Sequence, residues 1–311
     1  MINNVTVIMY HFIRDLVNSR YAKIKGLDVK LFEKQLILLK NKYIICSMEE
    51  IIYYNKNNIY KPNLALLTFD DGYADHYTFV LPLLIKYNLK GSFFIPAKLL
   101  DDHHVLDVNK IHFILASNAG TKDIINDISI HLLNLSQSYN LKTFDYYFKK
   151  LAKESRFDDA NTIFIKRLLQ VELNKDIRKI ILDFLFKKYI NIEENIFSKE
   201  LYLSIDQIKC MKKLGMHIGA HGYNHDWLAN LSYDDQYNEI LKSVNFLKNI
   251  QVDKNEFTMC YPYGSYNLNT IEILNKFNFK LAFTTKVGLA KLDEINKFEL
   301  ARFDTNDFII N

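Results

Sequence analysis

The sequence predicts an α/β protein in which repeated strand–helix units form one barrel-like domain around a large, all-helical insertion. Apolar runs rich in β-branched residues alternate with amphipathic stretches in residues 1–100 and again in residues 201–311. This alternation is typical of parallel βα units. Residues 101–200 instead contain no proline and a single glycine, Gly120, and their apolar residues recur at helical spacing. We therefore expect a barrel over 1–100 and 201–311 and a helical insertion over 101–200.

The elements before the insertion follow from apolar patterning and capping residues. Asp28 precedes an amphipathic stretch that ends near Lys42, which predicts a helix with an Asp N-cap. A second helix is expected to end near Tyr87. Strands are predicted at the apolar runs Val5–Tyr10, Leu64–Phe69 and Gly91–Pro96.

The same alternation resumes after the insertion. Ser204 and Ser232 can cap helices that end near Leu214 and Asn249, and Gly215 fits the position that ends the first of them. A last helix is predicted over Asn267–Lys276. Strands are predicted at Met216–Ala220, Phe257–Tyr261, Leu281–Thr285 and Phe298–Phe303.

Composition excludes several classes of protein. The 40 Lys and Arg residues exceed the 36 Asp and Glu residues by only four, and no dense basic tract occurs, which disfavours nucleic-acid binding. Nine glycines and four prolines in 311 residues are too few for a collagen-like or linker-rich chain. No apolar run is long enough to span a membrane.

Two further features bear on the cellular compartment. The N-terminal residues lack the basic segment, long apolar segment and small-residue cleavage site of a signal peptide, which predicts a cytoplasmic protein. Cys46, Cys210 and Cys260 are odd in number and far apart, so a disulfide framework is not expected.

Three polar clusters follow predicted strands, at the sheet edge where βα barrels build their active sites. The first is Thr-Phe-Asp-Asp-Gly-Tyr, residues 68–73. Taken alone it is also an ordinary turn, because Asp and Gly favour turns for backbone reasons. Adjacent side chains at a strand end point in different directions, so one of the two aspartates could bind a metal while the other faces a substrate.

The second cluster is His-Gly-Tyr-Asn-His, residues 221–225. On a helical turn the i, i+4 spacing places both imidazoles on one face, where they can share a cation. Together with Asp71, His221 and His225 would form a two-histidine, one-carboxylate site with open positions for water and substrate. The third cluster is Tyr-Pro-Tyr-Gly, residues 261–264, whose turn could direct a backbone N–H into the site or simply pack its aromatic rings.

These three motifs, in this order and strand-end context, resemble the polysaccharide deacetylases of carbohydrate esterase family 4. The resemblance covers roughly residues 1–100 and 201–311. It implies a distorted, incomplete (β/α) barrel that hydrolyses acetyl groups from carbohydrate with a divalent metal, Zn²⁺ or a similar ion such as Co²⁺, Ni²⁺ or Mn²⁺. By motif position, Asp70 would be the catalytic base, Asp71, His221 and His225 the metal ligands, and Tyr263 an oxyanion-hole donor.

The sequence departs from the common pattern of that family in three places. Gly222 replaces a Ser or Thr whose hydroxyl could support the site. Cys260 stands where an Arg usually holds the catalytic base. The late Leu-x-His motif that supplies the general acid is missing, because no histidine follows His225.

Two residues elsewhere could supply the missing groups. Tyr10-His11 ends the first predicted strand, and one branch of the family carries its acid histidine in such an N-terminal Tyr-His. Since the first and last strands of a closed barrel are neighbours, we predict that His11 is the general acid. Arg302, on the last predicted strand, could replace the missing Arg by pairing with Asp70, or could form a salt bridge that only stabilises the fold.

We predict that Tyr73, Trp227 and Tyr261 contact substrate, although Trp227 could instead pack beside His225. The predicted reaction is deacetylation of an N-acetylated amino sugar in a polysaccharide or its nucleotide- or lipid-linked precursor. Two alternatives remain: an O-acetyl esterase with the same site, and a non-catalytic carbohydrate-binding protein on the same fold. The helical insertion could shape the substrate groove, bind a partner protein or form a homo-oligomer.

Overall fold

The computed structural model describes residues 3–100, 103–155, 158–293 and 295–308. The chain divides into two compact units. A barrel unit comprises Met1–Asp15, Gly26–His103 and Ser198–Asn311, and a helical unit comprises Leu16–Lys25 and His104–Phe197.

The helical unit differs from the predicted insertion, 101–200, chiefly by the segment Leu16–Lys25. The physical reason lies in the contacts of this segment. The Tyr21 ring packs edge-on against Phe113 and Phe197, with ring centroids 5.0 and 5.9 Å apart. Lys25 forms an ion pair with Asp158. The assignment of residues 101–200 as an inserted domain stays a prediction.

Parallel strands form the centre of the barrel unit. The strands are β1 (Asn3–Tyr10), β4 (Ile44–Ile45), β5 (Leu64–Phe69), β6 (Ser92–Ile95), β7 (His217–Ala220), β8 (Thr258–Cys260), β9 (Leu281–Phe283), β10 (Ala290–Leu292) and β11 (Phe303–Asp304). The sheet order is β10-β1-β5-β6-β7-β8-β9, with β4 beside the start of β5 and β11 beside β1. Only the pairing of β1 with β10 is antiparallel among these described strands. A separate pair joins β2 (Ile13–Arg14) to β3 (Leu27–Asp28).

The segment after β10 brings the two sides of the curled sheet together. Leu300 forms a parallel bridge with Phe283 at the end of β9, and β11 then pairs with Ile8 and Met9 of β1. The strand predicted over 298–303 is therefore only partly right, because the segment leaves β9 to join β1 and pairs briefly with each. Strand β10 was not predicted; it pairs at the edge of the sheet with the start of β1. With these differences, the predicted distorted, incomplete barrel is confirmed.

Complete burial explains why the central strands read as continuous apolar runs. All six residues of β5 are buried, and so are all four of β6 and of β7. Apolar residues of the strands and of the helices packed on the sheet form one large core cluster, and a second cluster contains other strand residues together with Met48 and Ile51 of α2 (Met48–Lys56). This packing fixes the carboxyl ends of the strands, where the polar clusters begin.

Three helices of the barrel unit begin where capping residues predicted, because Asp28, Ser204 and Ser232 each accept a hydrogen bond from a backbone N–H of the first helical turn. Asn267, predicted as the first residue of the last helix, is its N-cap and accepts a hydrogen bond from the Thr270 N–H. Gly215 follows the second of these helices with φ +80°, as expected of a glycine that ends a helix. The first helices are α1 (Val29–Lys42), α2 (Met48–Lys56) and α3 (Leu81–Lys86), the last preceded by a π-helical turn at His76–Val80.

The helical unit contains α4 (Asp107–Ala116), α5 (Thr121–Tyr139), α6 (Phe144–Leu151), α7 (Ala160–Arg167) and α8 (Lys175–Tyr189). Helix α9 (Glu194–Leu201) leads back into the barrel unit, whose remaining helices are α10 (Ile205–Lys213), α11 (Tyr233–Asn249) and α12 (Leu268–Lys276). Within the described ranges, no helix is both long and apolar enough to cross a bilayer.

Candidate active site

The three predicted motifs meet at the carboxyl ends of neighbouring strands. Asp70 and Asp71 follow β5, His221 follows β7, and Tyr261 to Gly264 follow β8. Because β1 is parallel to β5 and lies beside it, His11, the residue after β1, lies at the same edge of the sheet. Parallel pairing alone therefore gathers residues from four distant parts of the sequence into one site.

Asp71, His221 and His225 form a compact and buried cluster. The Oδ1 atom of Asp71 lies 3.3 Å from Nε2 of His221 and 3.3 Å from Nε2 of His225. One ligand atom from each side chain can be chosen so that all three lie within 4.8 Å of one another. This is the two-histidine, one-carboxylate arrangement expected from the sequence.

The chemistry of the cluster fits a divalent cation. No hydrogen-bond donor in the described ranges satisfies Asp71 Oδ1, although this oxygen is buried. A buried carboxylate oxygen without such a donor is costly unless a charge compensates it. Imidazole nitrogens and one carboxylate oxygen suit Zn²⁺ and other first-row divalent ions, and do not by themselves select one of them.

Neighbouring groups orient two of the three candidate ligands. The backbone oxygen of Cys260 lies 2.7 Å from Nδ1 of His221. Assigning the proton to Nδ1 on this contact leaves the lone pair of Nε2 for a cation. The Tyr73 hydroxyl donates a 2.6 Å hydrogen bond to Asp71 Oδ2, which leaves Oδ1 facing the histidines.

A buried bidentate ion pair joins Asp70 to Arg302. Nη2 of Arg302 lies 2.8 Å from Oδ2 of Asp70, and Nη1 donates to Oδ1 at 3.0 Å. Arg302 also donates from Nε to the Thr284 backbone oxygen, at 2.9 Å. Arg302 therefore contacts Asp70 directly, as the sequence had suggested, and its side chain is fully buried.

This ion pair keeps the Asp70 carboxyl ionised. Burial acts to raise its pKa, but the positive charge of Arg302, the largest of the lowering effects, helps to outweigh burial, and the pKa falls to about 2. Cys260 is buried beside the same pair, and burial raises the pKa of its thiol well above the ordinary value. At neutral pH Cys260 is thus a neutral neighbour of the pair.

His11 follows β1 and lies near both aspartates: the pKa of Asp70 is lowered chiefly by Arg302 and His221, and that of Asp71 by His221 and His225, with a smaller contribution from His11 to each. Its ring is partly exposed, while its backbone oxygen lies 2.9 Å from Nε2 of His76. Burial lowers the pKa of His76 to about 4, so His76 is a neutral donor to that oxygen. Sequence reasoning missed His76; its spacing of three residues from Tyr73 on a helical turn was the available signal.

An aromatic stack lies on the other side of His225. The Tyr263 ring contacts the His225 ring edge-on, with centroids 4.7 Å apart, and the Trp227 ring stacks on Tyr263 at 4.3 Å and 5°. Trp227 therefore reaches His225 through Tyr263. Both Trp227 and Tyr263 keep partly exposed surface.

The prediction that Tyr73 and Tyr261 contact substrate is wrong for their side chains as they lie in this structure. Both are completely buried. The Tyr73 hydroxyl is bonded to Asp71, and the Tyr261 hydroxyl donates to the Phe298 backbone oxygen at 3.0 Å. Tyr73 supports a candidate metal ligand, and Tyr261 belongs to the core.

Three site residues adopt a left-handed backbone conformation, which residues other than glycine rarely adopt. Asp71, His225 and Tyr263 have φ values of 72°, 61° and 57°. Such conformations cost on the order of 1–3 kcal/mol each and persist only where the surroundings enforce them. Gly222 has φ +71°, and a Cβ there would lie 3.3 Å from Pro262 Cγ, so glycine suits this position better than the Ser or Thr of the common pattern.

Comparisons with known proteins identify the family and fold to which the chain is similar. The sequence profile of the family described as "Polysaccharide deacetylase" matches residues 57–282. A curated relative, "Putative polysaccharide deacetylase YxkH" from Bacillus subtilis (strain 168), is 28% identical over 93 residues, which are 30% of this chain and 33% of the relative. The match thus spans about a third of that relative's length.

Solved structures show the same fold. "Streptococcus pyogenes deacetylase PplD in complex with acetate" superposes with a TM-score of 0.59 at 21% identity, covering 98% of this chain and 93% of that one. "Structure of IcaB from Ammonifex degensii" superposes with a TM-score of 0.57 at 18% identity, covering 97% and 92%. The profile match extends over well more than half of the sequence and includes all three motifs. This chain belongs to the polysaccharide deacetylase family.

Proposed function

We propose that this protein uses a divalent metal, Zn²⁺ in the first instance, to hydrolyse the acetamido group of an N-acetylated amino sugar. The substrate would be a polysaccharide or a polysaccharide precursor. The observation that carries the proposal is the buried Asp71–His221–His225 cluster beside an ionised Asp70. A non-catalytic binding protein would not need a carboxylate held ionised next to a candidate metal site.

Asp71, His221 and His225 would hold the cation. When bound there, it would supply a Lewis acid for the acetyl carbonyl and lower the pKa of a water molecule toward ~7. Asp70 would accept the proton of the attacking water. Arg302 would keep Asp70 ionised and fix both of its oxygens while the reaction proceeds.

Two further groups would complete the reaction. The backbone N–H of Tyr263, at a turn that follows β8, would donate to the developing oxyanion; one such donor contributes roughly 2.7–4 kcal/mol in other hydrolases. His11 would protonate the departing amine, which leaves poorly as an anion. Trp227, with partly exposed surface on the Tyr263 stack, would contact the sugar.

The test compares the wild-type protein with Asp70→Asn, both reconstituted with Zn²⁺, on N-acetylated and O-acetylated sugars in parallel. We expect the wild type to release free amine and acetate. Asp70→Asn should bind the same amount of metal but turn over about 10²–10⁴-fold more slowly, because the base is lost. Release from O-acetyl sugars alone would favour an esterase. Metal binding with no hydrolysis of any acetylated sugar would refute the proposed activity.

A further inference from the structure

The loop between the two histidine ligands bends sharply. Gly222 and His225 both have left-handed backbone conformations, with φ values of 71° and 61°. Only the second of these residues pays a steric cost, because histidine has a Cβ. The turn brings the ring of His225 to within 4.8 Å of the His221 ring, measured between centroids.

The two histidines are oriented by different means. The Nδ1 atom of His221 is fixed by the Cys260 backbone oxygen, at 2.7 Å. The buried Nδ1 atom of His225 has no hydrogen-bond partner within the described part of the chain. Metal-binding histidines are usually oriented through this second nitrogen. The direction of Nε2 in His225 therefore depends on the backbone that carries the ring, together with the edge contact of the ring with Tyr263.

Glu239, on α11, holds that backbone. Its Oε2 atom accepts hydrogen bonds from the backbone N–H groups of Tyr223, at 3.0 Å, and Asn224, at 2.9 Å. Its Oε1 atom accepts from the side-chain amide of Asn224. The carboxylate is buried, and successive N–H groups that converge on one anion form a stable concave turn.

Two carbonyl groups of the loop bind the segment after β6. The Ala97 N–H donates to the Gly222 oxygen and the Lys98 N–H donates to the Tyr223 oxygen, both at 3.1 Å. The peptide that joins Tyr223 to Asn224 is therefore held at its oxygen by Lys98 and at its N–H by Glu239. Glu239 also binds the Asn224 side chain, directly before His225.

We propose that Glu239 is a positioning residue for the metal centre: by binding the amides of residues 223 and 224, it keeps His225 in the left-handed conformation that directs its Nε2 atom at Asp71. This inference rests on the proposed metal-dependent function. Glu239 does not contact the metal itself, so it acts only through the loop. Its effect should therefore appear in metal affinity before it appears in the chemical step.

The experiment measures Zn²⁺ affinity of metal-stripped protein by competition with a chromophoric chelator, and the absorption spectrum of the Co²⁺ form. Glu239→Ala should weaken Zn²⁺ binding by about 10–100-fold, the usual effect of losing a group that orients a ligand. It should also change the Co²⁺ ligand-field bands. Glu239→Gln keeps the length of the side chain and one acceptor oxygen, so it should restore part of the affinity.

The matched control is Gln236→Ala, one turn earlier on the same helix. Gln236 is equally buried and is bonded to the Leu231 backbone oxygen and the Thr270 hydroxyl, away from the histidine loop. Gln236→Ala should lower the melting temperature but leave Zn²⁺ affinity and the Co²⁺ spectrum unchanged. If Glu239→Ala does not fold, Asn224→Ala replaces it, with a smaller loss of affinity expected.

The outcomes separate the inference from the function on which it rests. A wild-type protein that binds no Zn²⁺ would refute the proposed function. A wild-type protein that binds Zn²⁺, together with Glu239 or Asn224 variants that bind it equally well, would overturn the inference alone. Equal losses of affinity in Glu239→Ala and Gln236→Ala would also overturn it, because the effect would then be one of general stability.

Discussion

Strand β7 begins at the buried His217 and is followed directly by the buried His221, and the two histidines differ in the hydrogen-bond partners of their ring nitrogens. At the amino end, both ring nitrogens of His217 have partners: Glu49 at 3.0 Å and the Thr258 hydroxyl at 2.7 Å. At the carboxyl end, His221 has one nitrogen on a backbone oxygen and directs the other at Asp71. Burial is equal, so burial does not identify a ligand. What makes His221 a candidate ligand is that its second nitrogen lies 3.3 Å from a carboxylate oxygen that has no donor among the described residues.

The backbone does not repeat this contrast between the two ends of the sheet. Left-handed residues other than glycine occur in the site at Asp71, His225 and Tyr263, but also next to the amino ends of strands, at Asn63 and Asn278. Tyr263 is the unusual one among them, because a bulky residue rarely adopts this conformation.

Replacing each of the two histidines, His217 and His221, separately by alanine gives the largest expected difference, in metal content and in thermal stability. His221→Ala should lose stoichiometric Zn²⁺ and with it all measurable deacetylation, since one of three ligands is gone. His217→Ala should keep Zn²⁺ and activity but unfold at a lower temperature, because Glu49 and Thr258 lose a buried partner. Elemental analysis and thermal melts measure both effects. Undiminished metal content in His221→Ala would remove His221 from the ligand set.

Replacing His11 by alanine tests whether the carboxyl end of β1 belongs to the catalytic region. His11→Ala should lower kcat on an N-acetyl sugar by about 10²–10⁴-fold while metal content stays constant. An aryl acetate provides the control, because its leaving group needs no proton and its hydrolysis should hardly change. If both substrates are affected equally, His11 does not act as the acid. Normal turnover of the sugar would make it a structural residue.

Arg302→Met should destabilise the fold more than any change in a surface ion pair would. It leaves the Asp70 carboxylate buried without its partner, a situation that costs about 3–5 kcal/mol of unfolding free energy at neutral pH. The loss should shrink at low pH, where Asp70 becomes protonated. Denaturant titrations measure it, and the double variant Asp70→Asn/Arg302→Met should recover part of the stability. An equally stable single variant would show that the pair contributes little.

The smallest effect is expected from Glu49, at the amino end. Burial acts to raise its pKa, but the hydrogen bond and charge of His217 outweigh burial and lower it from 4.5 to about 2. A depressed pKa stabilises the folded state above about pH 4.5, and this contribution is lost as pH falls toward 2. Melting temperatures of wild type and Glu49→Gln should therefore converge on acidification between these values. Parallel curves would contradict the assignment.

The sequence predicted those parts of the site that are local in the chain. The Asp-Asp-Gly and His-x-x-x-His motifs have short-range signatures, and their strands are buried apolar runs that are easy to recognise. The fold class and the helix caps followed from equally local signals. Tyr73 and Tyr261 were misassigned because a motif places a residue near a site without saying whether its side chain faces substrate or core.

What could not be predicted depends on long-range packing. The pairing of Arg302 with Asp70 was one of two alternatives until the return of the chain from β9 to β1 was known. His76 and Glu239 lie on helices among other polar residues, and only their contacts with the His11 oxygen and the histidine loop distinguish them. The helical unit gained residues 16–25 through contacts of Tyr21 and Lys25 that no local pattern reveals.

The return of the chain to β1 also has a consequence for the order in which the protein matures. Asp70 and Arg302, which meet in one ion pair, are separated by 232 residues. During synthesis the three candidate metal ligands are therefore complete well before Arg302 emerges from the ribosome. Contacts of such long sequence separation also form late and slowly in folding. If the proposed metal site is correct, a nascent chain can hold the cation while Asp70 still lacks its ion-pair partner.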